Sequence, residues 1–162
     1  MPFAQLRVLS TTDWAVLAVA LALIRASTRL GMWPYALVAL PGTLAHELAH
    51  FLVAWLLAAK PSFPSLVPER SERGWRLGSV AFRAGRLRSV PIALAPLALA
   101  PLALCWAVIW MAPAHGWHYG VQAWIVAALI SASLPSSADV KIALPALTVL
   151  AVISVAAWLL LR

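Results

Sequence analysis

The chain has 162 residues, of which 64% are hydrophobic and only 10% charged, with twelve Lys and Arg against five Asp and Glu. A bilayer accepts an apolar exterior that water does not, so this composition excludes an ordinary soluble globule and predicts one membrane domain over 1–162. The net charge of +7 does not indicate a nucleic-acid partner, because the basic residues fall between apolar runs, and the single cysteine, Cys105, excludes an internal disulfide and a thiolate metal cluster.

Five apolar stretches follow one another at roughly 12–29, 30–59, 90–112, 117–138 and 141–161, each able to cross about 30 Å as a helix. The expected fold is therefore an all-α polytopic membrane protein with about five transmembrane helices. The first stretch is uninterrupted only from Trp14 to Ile24 and depends on Arg25 and Arg29 snorkelling to the interface. Arg7 ahead of it resembles the start of a signal peptide, but Arg25-Ala-Ser-Thr-Arg29 offers no small-x-small cleavage site, so the stretch reads as a retained anchor.

Residues 60–89 form the one long polar stretch, with Lys60, Arg70, Arg73, Arg76, Arg83, Arg86 and Arg88 against Glu69 and Glu72. The positive-inside rule places this loop in the cytoplasm, and the expected location is a prokaryotic cytoplasmic membrane. Alternating the spans from there puts Arg7 and Lys141 inside and Arg25, Arg29 and Arg162 outside, nine basic residues against three. Trp33, Trp110, Trp117 and Trp158 then fall at outer ends, as an interfacial aromatic belt would. Inside the loop, Trp75 to Arg83 alternates imperfectly between apolar and polar residues before a turn-like Ala84-Gly85, which predicts a short β-strand or hairpin. Pro91, Pro96 and Pro101 recur every five residues in the third span, which predicts a kinked or loosely packed helix.

The second span carries His46-Glu47-Leu48-Ala49-His50. Residues four apart project from one helical face, so both imidazoles can reach one ion while Glu47 stands beside them to accept a proton from water. Two histidines and a glutamate within five residues of an apolar span are costly without a common partner, which favours metal over isolated hydrogen bonding. Neutral imidazole suits zinc, and zinc needs a third protein ligand. Counting about 1.5 Å per residue from Trp33 puts His46 roughly 20 Å and His50 roughly 25 Å down, toward the cytoplasmic side. His115 and His118 lie in the outer loop, at the wrong face, and Glu69 and Glu72 read as solvated charges among arginines. Asp139 falls at the right depth, where Ser131 to Ser137 with Pro135 breaks the helix. It can act as ligand, as cap of the last helix, as partner of Lys141, or as ligand and cap together.

These residues resemble the site-2 protease family of intramembrane zinc metalloproteases, which pair an HExxH helix with an aspartate on a later span. The resemblance implies His46, His50 and Asp139 as zinc ligands and Glu47 as catalytic base, although Ala138 and Val140 flank Asp139 where the family has Leu and Gly. The family also carries a β-structured segment after the HExxH helix that is thought to pair with unwound substrate. Trp75, Leu77, Val80 and Phe82 stand in that place and are the expected substrate-binding residues. The implied activity is hydrolysis of peptide bonds in membrane-embedded or membrane-adjacent substrates near the cytoplasmic face, with the lipid bilayer as the other partner. A non-catalytic zinc-binding sensor or adaptor is the alternative, and a small cation transporter ranks behind it. Nothing in the sequence marks a dimer face.

Overall fold

The computed structural model describes residues 8–71 and 74–160. The expectations that rest on Arg7, Glu72, Arg73 and Arg162 lie outside the described residues. The chain is mostly helical: α1 (Thr11–Ser27), α2 (Met32–Leu56), a two-stranded antiparallel sheet of β1 (Glu69–Ser71) and β2 (Gly74–Arg76), then α3 (Arg86–Leu94), α4 (Leu99–Trp106), α5 (Gly116–Ala132) and α6 (Ser137–Leu160). Three helical stretches among the described residues are long and apolar enough to cross a membrane: α2, the run Arg86–Met111 that contains α3 and α4, and the run Ser137–Leu159 in α6. The 17-residue helices α1 and α5 are about 25 Å long, a little short of the hydrocarbon thickness.

The third span shows what its prolines do. Pro96 has no N–H to donate, and regular α-helix gives way after Leu94 to a 3₁₀ segment, Ala95–Ala98. After α4 the helix widens into a π turn, Ala107–Met111, closed by Ala112 N–H donating to the Ala107 carbonyl. Helix type thus changes along the stretch, while Pro91 and Pro101 lie within regular α-helix.

Helices α2 and α5 run side by side in the same sense. Trp124 Nε1 donates to the Val38 carbonyl at 2.8 Å, Gly42 lies on the Ala128 backbone, and His46 meets Ala132, so contacts advance four residues at a time along both helices. Gly42 is what permits the close approach, because a β-carbon there would collide with the Ala128 carbonyl group and meet the Ala132 side chain.

Alternation of spans predicts α1 antiparallel to α5, and the contacts differ. The Tyr119 hydroxyl at the start of α5 donates to Asp13 at the start of α1, while Ile24 near the end of α1 packs on Ala127 and Ala128 further along α5. A helix this short is free to lie obliquely against its neighbours, and Asp13, buried and locked into a capping box with Ser10, ties its start to α5.

The polar loop is one long antiparallel excursion. Helix α2 closes with Ala58 in the left-handed region (φ 52°), Ala58 N–H donating to the Trp55 carbonyl and Ala59 N–H to the Ala54 carbonyl, the bonding of a Schellman cap. The chain then pairs outgoing Ala59 with returning Arg83, Ser62 with Ala81, Ser65 with Ser79, and Glu69 with Arg76. Pro61, Pro64 and Pro68 remove donors along the outgoing arm and keep most of it from forming regular strand. The sequence predicts a short strand or hairpin over Trp75–Arg83 ahead of a turn at Ala84-Gly85; regular strand there is confined to β2, paired with β1 upstream, and the rest of the stretch is the returning arm. Gly85 instead precedes α3 as its N-terminal cap residue. The partner strand lies upstream in sequence, which local alternation cannot reveal.

Replacing Gly42 by Leu is expected to wedge α2 from α5, costing about 1–3 kcal/mol of stability and drawing His46 away from Ala132. Thermal melting in detergent together with bound-metal content checks this, and an unchanged melting temperature would refute the close contact.

Candidate metal centre and cavity

The HExxH residues lie in the second half of α2, where the ends of several elements converge. His46 Nδ1 bonds the Ala132 carbonyl at the end of α5 at 2.7 Å, and His50 Nδ1 bonds the Ile92 carbonyl in α3, also at 2.7 Å. A carbonyl can only accept, so each Nδ1 carries the hydrogen and each Nε2 of a neutral ring presents a lone pair. Those two Nε2 atoms face each other at 3.1 Å, and Asp139 approaches them at 3.5 Å from His46 and 3.3 Å from His50. Lone pairs and a carboxylate brought this close repel unless a proton or a metal cation sits among them. The ligand atoms of His46, His50 and Asp139 all lie within 4.8 Å of one another, so the cluster could hold a metal ion. The carbonyl bonds to Nδ1 are those that orient metal-ligating histidines and fix their tautomer.

Asp139 reaches the cluster because the chain turns sharply after α5. Ser133 caps that helix, and Ser136 then starts α6 reciprocally with Asp139: the Ser136 N–H donates to Asp139 Oδ2 at 2.7 Å and the Asp139 N–H donates to Ser136 Oγ at 3.3 Å. Asp139 is thus both helix cap and member of the cluster, and its ion pairs among the described residues are with the two histidines, while Lys141 is exposed.

Glu47 is buried but stands outside the cluster, and among the described residues no hydrogen bond engages its carboxylate. The returning arm of the loop lies directly on it: a β-carbon at Gly78 would come within 2.7 Å of Glu47 Cγ and 2.8 Å of Oε1. Only a residue without a side chain lets this backbone come so near the carboxyl. An isolated glycine inside a strand-like run, Leu77-Gly78-Ser79, is the sequence signal that could have found this contact.

One cavity of about 580 Å³ joins these groups. His46, Glu47, His50 and Asp139 line it, and so do Trp75, Leu77, Val80 and Phe82, the four residues expected to meet substrate. Phe82 also packs beside Ala54, Ala59 and Ile92, anchoring the arm to the end of α2. The cavity continues along α2 past Thr43 and Ala39 to Tyr35 and to Ile24 of α1, residues that sequence reasoning did not single out and that the burial of an apolar span conceals. Trp117 and His118 stack on each other at the opposite end of α5, and among the described residues neither His115 nor His118 belongs to a metal-ligand group. Glu69 sits opposite Arg76 in the small sheet, away from the cluster.

No family model, curated protein or solved structure matches the chain.

Asp139→Asn separates the two roles of Asp139, because an amide oxygen can still accept from Ser136 while the anionic ligand is lost. Metal affinity is expected to fall more than the roughly 10–100-fold typical of an outer-shell change, and His46→Ala and His50→Ala should behave likewise. Metal analysis of the purified protein checks this, and full occupancy in all three variants would rule out the cluster as a metal centre.

Proposed function

We propose that this protein is an intramembrane zinc metalloprotease of the site-2 protease type, cutting peptide bonds at the edge of the membrane on the side that bears residues 57–85. The observation that carries the proposal is the pairing of three convergent ligands with a separate carboxylate, Glu47, that borders the same cavity without joining the cluster. In this reading α2, the α3–α4 run, α5 and α6 alternate across a prokaryotic cytoplasmic membrane, α1 is an oblique fifth apolar segment, and the arginine-rich loop is cytoplasmic.

Zinc is the cation that fits best. A tetrahedral site with bonds of about 2.0–2.1 Å separates neighbouring donors by about 3.3 Å, close to the 3.1, 3.3 and 3.5 Å separations of the cluster. Zinc bound there supplies Lewis-acid polarisation of a peptide carbonyl and of water. His46 and His50 hold their rings in place through their carbonyl bonds. Glu47 takes the proton from the attacking water and passes it to the leaving amine.

A peptide bond in a regular transmembrane helix is already hydrogen-bonded and shielded, so the substrate must unwind to be cut. The returning arm offers a template. Ser79 directs both backbone groups to Ser65, so those of Gly78 and Val80 point to the other edge, and both residues line the cavity. An unwound segment added along that edge by β-augmentation would lie beside Glu47, with Trp75, Leu77 and Phe82 around it. A non-catalytic zinc sensor is the alternative, and it requires a closed four-ligand site. The three-residue cluster with Glu47 held apart favours catalysis.

Glu47→Gln is expected to keep its zinc and to lower cleavage of a fluorescent transmembrane peptide by about 10²–10⁴-fold, whereas His46→Ala loses both. Cleavage by Glu47→Gln at the native rate would overturn the mechanism.

A further inference from the structure

Apart from the cluster and Glu47, the charged residues that line the cavity are Arg76 on β2 and Lys141 on α6. They approach from different walls, the returning arm and the start of the last helix, and both are exposed. Among the described residues neither enters an ion pair, even though Glu69 is the cross-strand neighbour of Arg76. Arg76 and Glu47 line the same cavity. The other described acids are committed elsewhere: Asp13 to Ser10 and Tyr119, and Asp139 to the histidines. Lys60, Arg83, Arg86 and Arg88 are also exposed along the same loop and the start of α3, so the charge this segment presents is predominantly positive.

We propose that Arg76 and Lys141 make the mouth of the cavity selective for peptide segments that carry acidic residues beside the bond presented to Glu47. This rests on the protease reading and names its substrate class. Ordinary transmembrane proteins carry Lys and Arg where they leave the membrane on the cytoplasmic side. A cationic mouth on that side repels those flanks and admits a segment whose flank is acidic, so selectivity comes from rejecting bystanders as much as from attracting the right partner.

The test uses full-length zinc-loaded Glu47→Gln protein in nanodiscs of zwitterionic lipid, so that binding is measured without turnover. The probes are two fluorescent peptides, each a leucine–alanine span of about 20 residues followed on the loop side by three aspartates or by three lysines. The acidic peptide should bind about tenfold more tightly, with the ratio shrinking as salt is raised. Arg76→Glu with Lys141→Glu should invert the preference, and the milder pair Arg76→Gln with Lys141→Gln should abolish it. Equal binding of the two peptides, or an unchanged ratio in the neutral pair, would overturn the proposal. Cleavage by the native protein separates the two readings. Preferential binding with neither peptide cut would sink proteolysis and leave the cationic selectivity standing, and equal affinity with equal cutting would do the reverse.

Discussion

The structure depends on how two imidazoles are turned. Each ring gives its Nδ1 hydrogen to a backbone carbonyl of another helix, Ala132 for His46 and Ile92 for His50. The Nε2 lone pairs therefore converge, and Asp139 closes the third side. In a low-dielectric setting such an arrangement is stable only with positive charge at its centre. The carbonyls come from main chain, so the rings stay in register only while α2, α3 and α5 hold their packing. That is why Gly42, a full turn from His46 and remote from any chemistry, matters to the centre: its missing side chain sets the distance between α2 and α5.

A second glycine performs a similar service for the acid beside the cluster. Gly78 brings the returning arm onto the Glu47 carboxyl. The arm is held at its base by Phe82 beside Ile92 and by Arg83 N–H on the Ala59 carbonyl. The loop thus does more than join two spans, because it forms a wall of the cavity. Its outgoing half is kept irregular by three prolines, and its returning half presents a backbone edge toward the site.

Much of this was legible in the residues. The apolar runs predicted the first, second, third and last helical stretches to within a few residues, because hydropathy acts on whole segments, while the fourth, read to residue 138, ends at Ala132. The five-residue motif put His46 and His50 on one helical face with Glu47 beside them, and counting depth along two spans brought Asp139 to the same level. Other features depend on partners distant in sequence. The pairing of Ser65 with Ser79 and of Glu69 with Arg76 is set by an outgoing arm that lies upstream of the predicted stretch. The sense of α1 was set by Asp13 meeting Tyr119, a contact over a hundred residues apart along the chain that charge counting cannot see. The carbonyls that aim the histidines have no side-chain signature at all.

The order in which the parts of the centre occur along the chain has a bearing on its biogenesis. The histidines lie on α2, their orienting carbonyls on α3 and α5, and the aspartate on α6. A polypeptide made from its amino end lacks the third member of the cluster until its final helix has been made and docked. A metal ion held by all three groups would therefore have to wait for the last helix before its site is complete.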